Sequence, residues 1–160
     1  MRTRVLPIVF ACLLAGCAVA DRQRPASRVG EKVAACMHAA GQSAEWVAVE
    51  VPAARGALAN KLAAATLSLG GSNTVDALVG LLGRTNRPPV AVFGENDELA
   101  SATLVTALRR LPAGARQSTQ AVCFVGDERY MEALRIAAQD TGTPLVLVTH
   151  DRIQAGGRKP

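Results

Sequence analysis

Three short apolar runs, at 89–93, 120–125 and 144–148, recur through the second half of the chain. The first two end on a glycine, Gly94 and Gly126, followed by acidic polar residues. Runs of this length bounded by turn signals fit strands buried on both faces. Between them lie two stretches with helical periodicity. One spans 97–111 with Leu104, Leu108 and Leu111 inward, and the other spans 127–140 with Met131, Leu134 and Ala138 inward. In the first half, 31–40 predicts a helix ended by Gly41. Residues 45–51 alternate around Trp46, Val47, Val49 and Val51 as a strand does, and Pro52 stops them. Residues 56–69 carry Leu58, Leu62, Ala65 and Leu69 at helical spacing and end at Gly70-Gly71. Ser72 or Asn73 then caps a further helix, with Asp76 in its first turn, an apolar face of Val75, Leu78, Val79 and Leu82, and Gly83 at its close. Strands alternating with helices predict parallel pairing through right-handed crossovers. The fold expected over 31–153 is therefore α/β. It is a small open, mostly parallel sheet of about four strands with helices on both faces, Rossmann-like or flavodoxin-like.

The amino terminus follows a different pattern. Arg2 and Arg4 precede an apolar stretch at 5–15 that is broken only by Pro7. A bilayer span takes roughly 20 apolar residues, so this segment has the length of a signal-peptide core. It runs into Leu14-Ala15-Gly16-Cys17, which resembles the lipobox of bacterial lipoproteins. That resemblance implies diacylglyceryl transfer to the Cys17 thiol, cleavage before Cys17 and acylation of the new amino terminus. Two or more acyl chains make a stable anchor where one is marginal. Ala18, with no Asp at that position, is similar to the outer-membrane class of such proteins. Plain secretion, with cleavage after Ala18 or Ala20, is the alternative. The expected organisation is a signal peptide at 1–16, a flexible tether at 17–30 after lipidated Cys17, one domain at 31–153 and a disordered tail at 154–160. The expected location is the cell envelope, lipid-anchored in the outer membrane and facing the periplasm.

Composition narrows the function classes. Removing Arg2 and Arg4 with the leader leaves 16 basic against 13 acidic residues, so the net charge falls from +5 to about +3. The charges form no run and aromatic residues make up 3% of the chain. A nucleic-acid surface needs a clustered basic face, so none is expected. Of the four cysteines, Cys12 leaves with the signal and Cys17 takes lipid, which leaves Cys36 and Cys123. An even pair in an oxidising compartment invites a disulfide. Alternatively each is a small buried hydrophobe, Cys36 on a helix face with Val33 and Ala40, and Cys123 inside an apolar strand.

In open parallel sheets ligands sit at the carboxyl ends of the strands. Here that rim carries Glu95, Asn96, Asp97 and Glu98, then Asp127 and Glu128, then His150 and Asp151. Such a set suits a divalent cation through hard oxygens, or a polyol or cationic ligand. The same residues stand where helix N-caps are needed, and acids there favour the helix dipole. The run Val90-Ala91-Val92-Phe93-Gly94-Glu95-Asn96-Asp97-Glu98-Leu99-Ala100 resembles part of the periplasmic sugar-binding proteins and their repressor relatives. In that family an Asn-Asp pair opens a helix near the ligand cleft, which would make Asn96 and Asp97 the corresponding positions. The chain is too short for that family's two lobes. It contains no GxSxG, HExxH, CxxC or P-loop motif. Gly70-Gly71-Ser72-Asn73-Thr74 reads as a helix–helix turn, and His38 as a surface or half-buried residue. No cofactor is expected. The leading expectation is a non-enzymatic envelope lipoprotein. Its partners would be the bilayer, through acylated Cys17, and an unidentified envelope protein or component. The alternatives are small-ligand or metal binding at the rim through Glu95, Asn96, Asp97, Asp127, His150 and Asp151, and a hydrolase using His150 with Asp127 or Asp151.

Overall fold

Four five-residue strands line up in a single parallel sheet in the order in which they occur: β1 (Val47–Val51), β2 (Val90–Gly94), β3 (Val122–Gly126) and β4 (Leu145–Thr149). The structure is a computed structural model and describes residues 26–70, 72–111 and 120–156. The segment expected to be a signal peptide, the expected lipidation site Cys17 and the last residues of the polar tail lie outside them. The connections are helical: α2 (Ala57–Gly70) and α3 (Asn73–Leu82) between β1 and β2, α4 (Asp97–Arg109) between β2 and β3, and a 3₁₀ turn (Glu128–Tyr130) leading into α5 (Met131–Thr141) between β3 and β4. α1 (Ala26–Ala40) precedes the sheet and α6 (His150–Gly156) follows it. The expected four-stranded parallel α/β sheet is what forms.

Alternation along the strands separates two cores. Val90, Val92, Val122 and Phe124 meet Leu78, Leu82, Leu104, Leu108 and Leu134 in the layer of α2–α5. Ala91, Phe93, Cys123 and Val125 meet Cys36, Val29, Val33 and Ile153 in the layer of α1 and α6. All three crossovers lie on one face, as a common hand requires when strand order only advances. The order therefore contains no reversal, and no crevice opens between two oppositely wound halves.

Three differences from the sequence reading have local causes. α1 begins at Ala26 and not at 31, so residues 26–30 are helix and not tether; Val29 extends the apolar stripe of Val33 and Met37 onto the sheet. α6 takes in residues 154–156, part of the stretch whose composition predicts a tail, and Ile153 packs it against the α1 layer. The largest difference is in α2. Its inward face is Asn60, Ala63, Ala64 and Leu67, and Leu58, Leu62 and Ala65 of the stripe that predicts the helix face solvent, with Leu58 81% and Leu62 65% exposed. Asn60 is buried because its side chain accepts from the Ala54 amide at 2.8 Å and donates to the carbonyls of Ala54 and Gly56 at 3.0 Å, folding the β1–α2 loop onto the helix.

At the amino edge of the sheet, Arg87 is 4% exposed. Its guanidinium donates to the carbonyls of Gln120 at 2.6 Å and of Ala121 and Pro88 at 3.3 Å. Desolvation lowers its pKa from the ordinary arginine value. At the opposite edge β2 ends in glycine for want of room: a Cβ on Gly94 would stand 2.9 Å from the Val51 carbonyl and 3.1 Å from Ala100.

Candidate functional site

The carboxyl edge of the sheet gathers its polar residues around one carboxylate. Asp97 opens α4, directly after the turn that leaves β2, and its side chain is 18% exposed. Its Oδ2 accepts the Asp127 amide at 2.9 Å and lies 2.9 Å from His150 Nε2. One oxygen thereby ties the end of β2 to the ends of β3 and β4, across 30 and 53 residues of chain. His150, whose side chain is 43% exposed, is the first residue of α6.

The neighbouring residues complete helix ends. Asn96 is the N-cap of α4, its Oδ1 accepting from the Leu99 amide at 2.8 Å. Asp127 caps the 3₁₀ turn by accepting from the Arg129 amide at 3.0 Å, and its other oxygen pairs with the Arg129 guanidinium at 2.9 Å. The amide hydrogen bond from Arg129 and the nearby cations outweigh desolvation and hold the Asp127 carboxyl below its ordinary range. Of the six rim residues named from sequence, Asp97, Asp127 and His150 come together. Asn96 serves its own helix, Glu95 belongs to a neighbouring cleft and Asp151 is exposed. Among the described residues no group of three or more His, Cys, Asp or Glu is arranged to hold a metal ion.

The cleft beside this rim was not read from sequence. It has a volume of about 420 Å³ and is lined by Arg28, Val29 and Lys32 of α1, Glu50 of β1, and Phe93, Gly94 and Glu95 at the end of β2. The Lys32 ammonium lies 4.6 Å from the centre of the Phe93 ring, close enough for a cation–π contact. The i, i+4 spacing of Arg28 and Lys32 is the sequence signal for it, masked by the polar composition of 21–30 that reads as a tether. The cleft forms because α1 covers β2, β3 and β4 but leaves the adjoining face of β1, with Ala48 and Glu50, exposed.

Cys36 of α1 and Cys123 of β3 are joined in a disulfide with a Cα–Cα distance of 5.9 Å, closing 87 residues. Both are fully buried, so the bridge pins α1 to the centre of the sheet. On the other face, Leu58 and Leu62, flanked by exposed Ala57, Ala59 and Ala65, form an uncovered apolar stripe along α2. No helix among the described residues is long and apolar enough to cross a membrane. No family model, curated protein or solved structure matches this chain.

Proposed function

We infer that the chain is an envelope lipoprotein, anchored in the outer membrane by acylated Cys17, that presents its α/β domain to the periplasm to bind a partner protein or envelope component without catalysis. The observation that carries the binding role is the uncovered stripe of α2, since contiguous exposed apolar residues mark interaction surfaces. The lipobox at Leu14 to Cys17 supports the anchor. The Cys36–Cys123 disulfide supports the compartment, because such bonds persist where the surroundings are oxidising. The rim supports a non-catalytic role through its engagement: Asn96 and Asp127 cap helical turns, and Asp97 ties strand ends together. The Nε2 of His150 is engaged by the Asp97 carboxylate at 2.9 Å.

The test is the intact mass of the protein recovered from its host's membranes, with and without Cys17→Ala. Acyl mass on the wild type, lost in the variant together with membrane association, is the expected result. An unacylated, freely soluble wild type refutes the anchor.

A second reading, small-ligand binding at the carboxyl edge, is favoured by the cleft between α1 and the ends of β1 and β2. It requires that a ligand raise the melting temperature of the wild type and that Glu95→Gln remove the rise. If a ligand's effect survives that change, it binds elsewhere.

A further inference from the structure

We propose that the corner of the domain formed by the start of α2, with Leu58, Leu62, Arg55 and Lys61, docks on the anionic lipid surface in which Cys17 is anchored. This rests on the anchored reading above and names the occupant of the uncovered α2 face.

The argument begins with where the anchor leaves the fold. The first turns of α1, through Arg28, Val29 and Lys32, line the cleft at the carboxyl ends of β1 and β2, whereas Cys36 further along meets Cys123 near the start of β3. α1 therefore begins at the carboxyl edge of the sheet and runs toward the amino edge. Only nine peptide steps separate Cys17 from Ala26, and a chain reaches at most about 3.6 Å per residue, so the carboxyl edge stays within about 32 Å of the anchor.

α2 begins at that same edge, because Ala57 follows the last residue of β1 by only five intervening positions. Helical side chains lean toward the helix N-terminus, so Leu58 and Leu62 incline toward the edge from which the anchor departs. They are the most exposed large apolar residues described. Arg55 and Lys61 beside them, and Arg28 at the start of α1, are exposed as well. Apolar residues among cations are what an interfacial lipid contact requires.

Charge along the edge chooses the orientation. The corner where β1, α2 and the start of α1 meet carries Arg28, Lys32, Arg55 and Lys61 with Glu50 and Glu95, a net positive set, while the far half carries Glu98, Asp127, Glu128 and Asp151 with Arg129 and Arg152, a net negative one. An anionic surface attracts the first corner and repels the second. A second copy of the chain is a poorer occupant. Two leucines flanked by alanines make a small patch, whereas a stable dimer needs more than about 1,000 Å² in total. The tether compensates for a weak lipid contact by keeping the surface close at all times.

The test uses the full acylated chain with Ala59→Cys labelled by an environment-sensitive fluorophore. It is reconstituted in vesicles of phosphatidylethanolamine and phosphatidylglycerol that carry a quencher on the acyl chains. The expected result is blue-shifted emission and quenching several-fold stronger than for the same label at Gln139→Cys, in the last turn of α5 at the amino edge. Adding Leu58→Asp and Leu62→Asp, both at exposed positions, returns the signal to that of water, and phosphatidylcholine vesicles weaken it. Equal quenching at 59 and 139 overturns the proposal. So does a shielded label at 59 that lipid does not quench and that strengthens with protein density, which would assign the face to a second copy. Intact mass of the same sample separates the two readings. Acylated Cys17 with residue 59 in water overturns docking alone, and absence of the acyl group overturns both.

Discussion

Replacing Cys36 and Cys123 together by alanine tests how the α1 layer is held. The bridge closes 87 residues, and in the chain-entropy model a loop of that length stabilises by ~4.6 kcal/mol. Alanine is the suitable replacement because both sites are fully buried, and serine would place unpaired hydroxyls there. A domain spanning residues 26–156 would unfold with an entropy of ~2.1 cal/mol/K per residue, so the loss corresponds to a fall in Tm of about 17 °C. Thermal unfolding of wild type and double variant, with and without a phosphine reductant, measures it. Wild type with reductant should fall toward the variant, and the variant should not respond. Hydrogen exchange should rise first in α1, which otherwise rests on the sheet through Val29, Val33, Met37 and Ala40. A fall of less than about 5 °C, or a variant that responds to reductant as strongly as wild type, refutes the argument that this crosslink limits the unfolded chain.

Asp97→Ala should destabilise by ~1 to 3 kcal/mol, because the Asp127 amide loses its acceptor inside a partly closed edge; urea unfolding gives the magnitude, and faster exchange of that amide identifies the cause. Arg87→Ala should cost about 2 kcal/mol, since the Gln120 and Ala121 carbonyls lose a buried donor; an unchanged urea midpoint would show that the backbone carbonyls find other partners. Asp127 has its folded pKa depressed, chiefly by the Arg129 amide, so its stabilising contribution is present above the ordinary aspartate range and disappears as pH falls through the folded value. Asp127→Asn keeps an oxygen for the cap but removes the charge and the titration, so Tm should lie slightly below wild type near neutrality, fall less steeply on the acid side, and converge with wild type at low pH.

The parts of the fold that were legible from sequence are those set by near neighbours in the chain. Apolar runs at β2, β3 and β4 announce strands covered on both sides, because a strand with a wet face would alternate. Asn96 and Ser72 cap helices through side-chain oxygens that reach amides three residues ahead. Leu104, Leu108, Met131 and Leu134 turn inward as their spacing requires. What only the tertiary structure decided depends on residues far apart. A 3.6-residue period says that 57–70 is helical, but neighbouring elements decide which stripe is covered. Val75, Leu78 and Leu82 of α3 share one core with Ala63, Ala64 and Leu67 of α2, and Leu58 and Leu62 on the opposite side of α2 stay outside it. The meeting of Cys36 with Cys123, and of His150 with Asp97, likewise follows from strand order and helix placement, which bring together residues 87 and 53 positions apart. Local order in the chain determined the elements and their caps, because those arise within a few residues. Which faces stay open and which side chains meet was decided by how the layers pack.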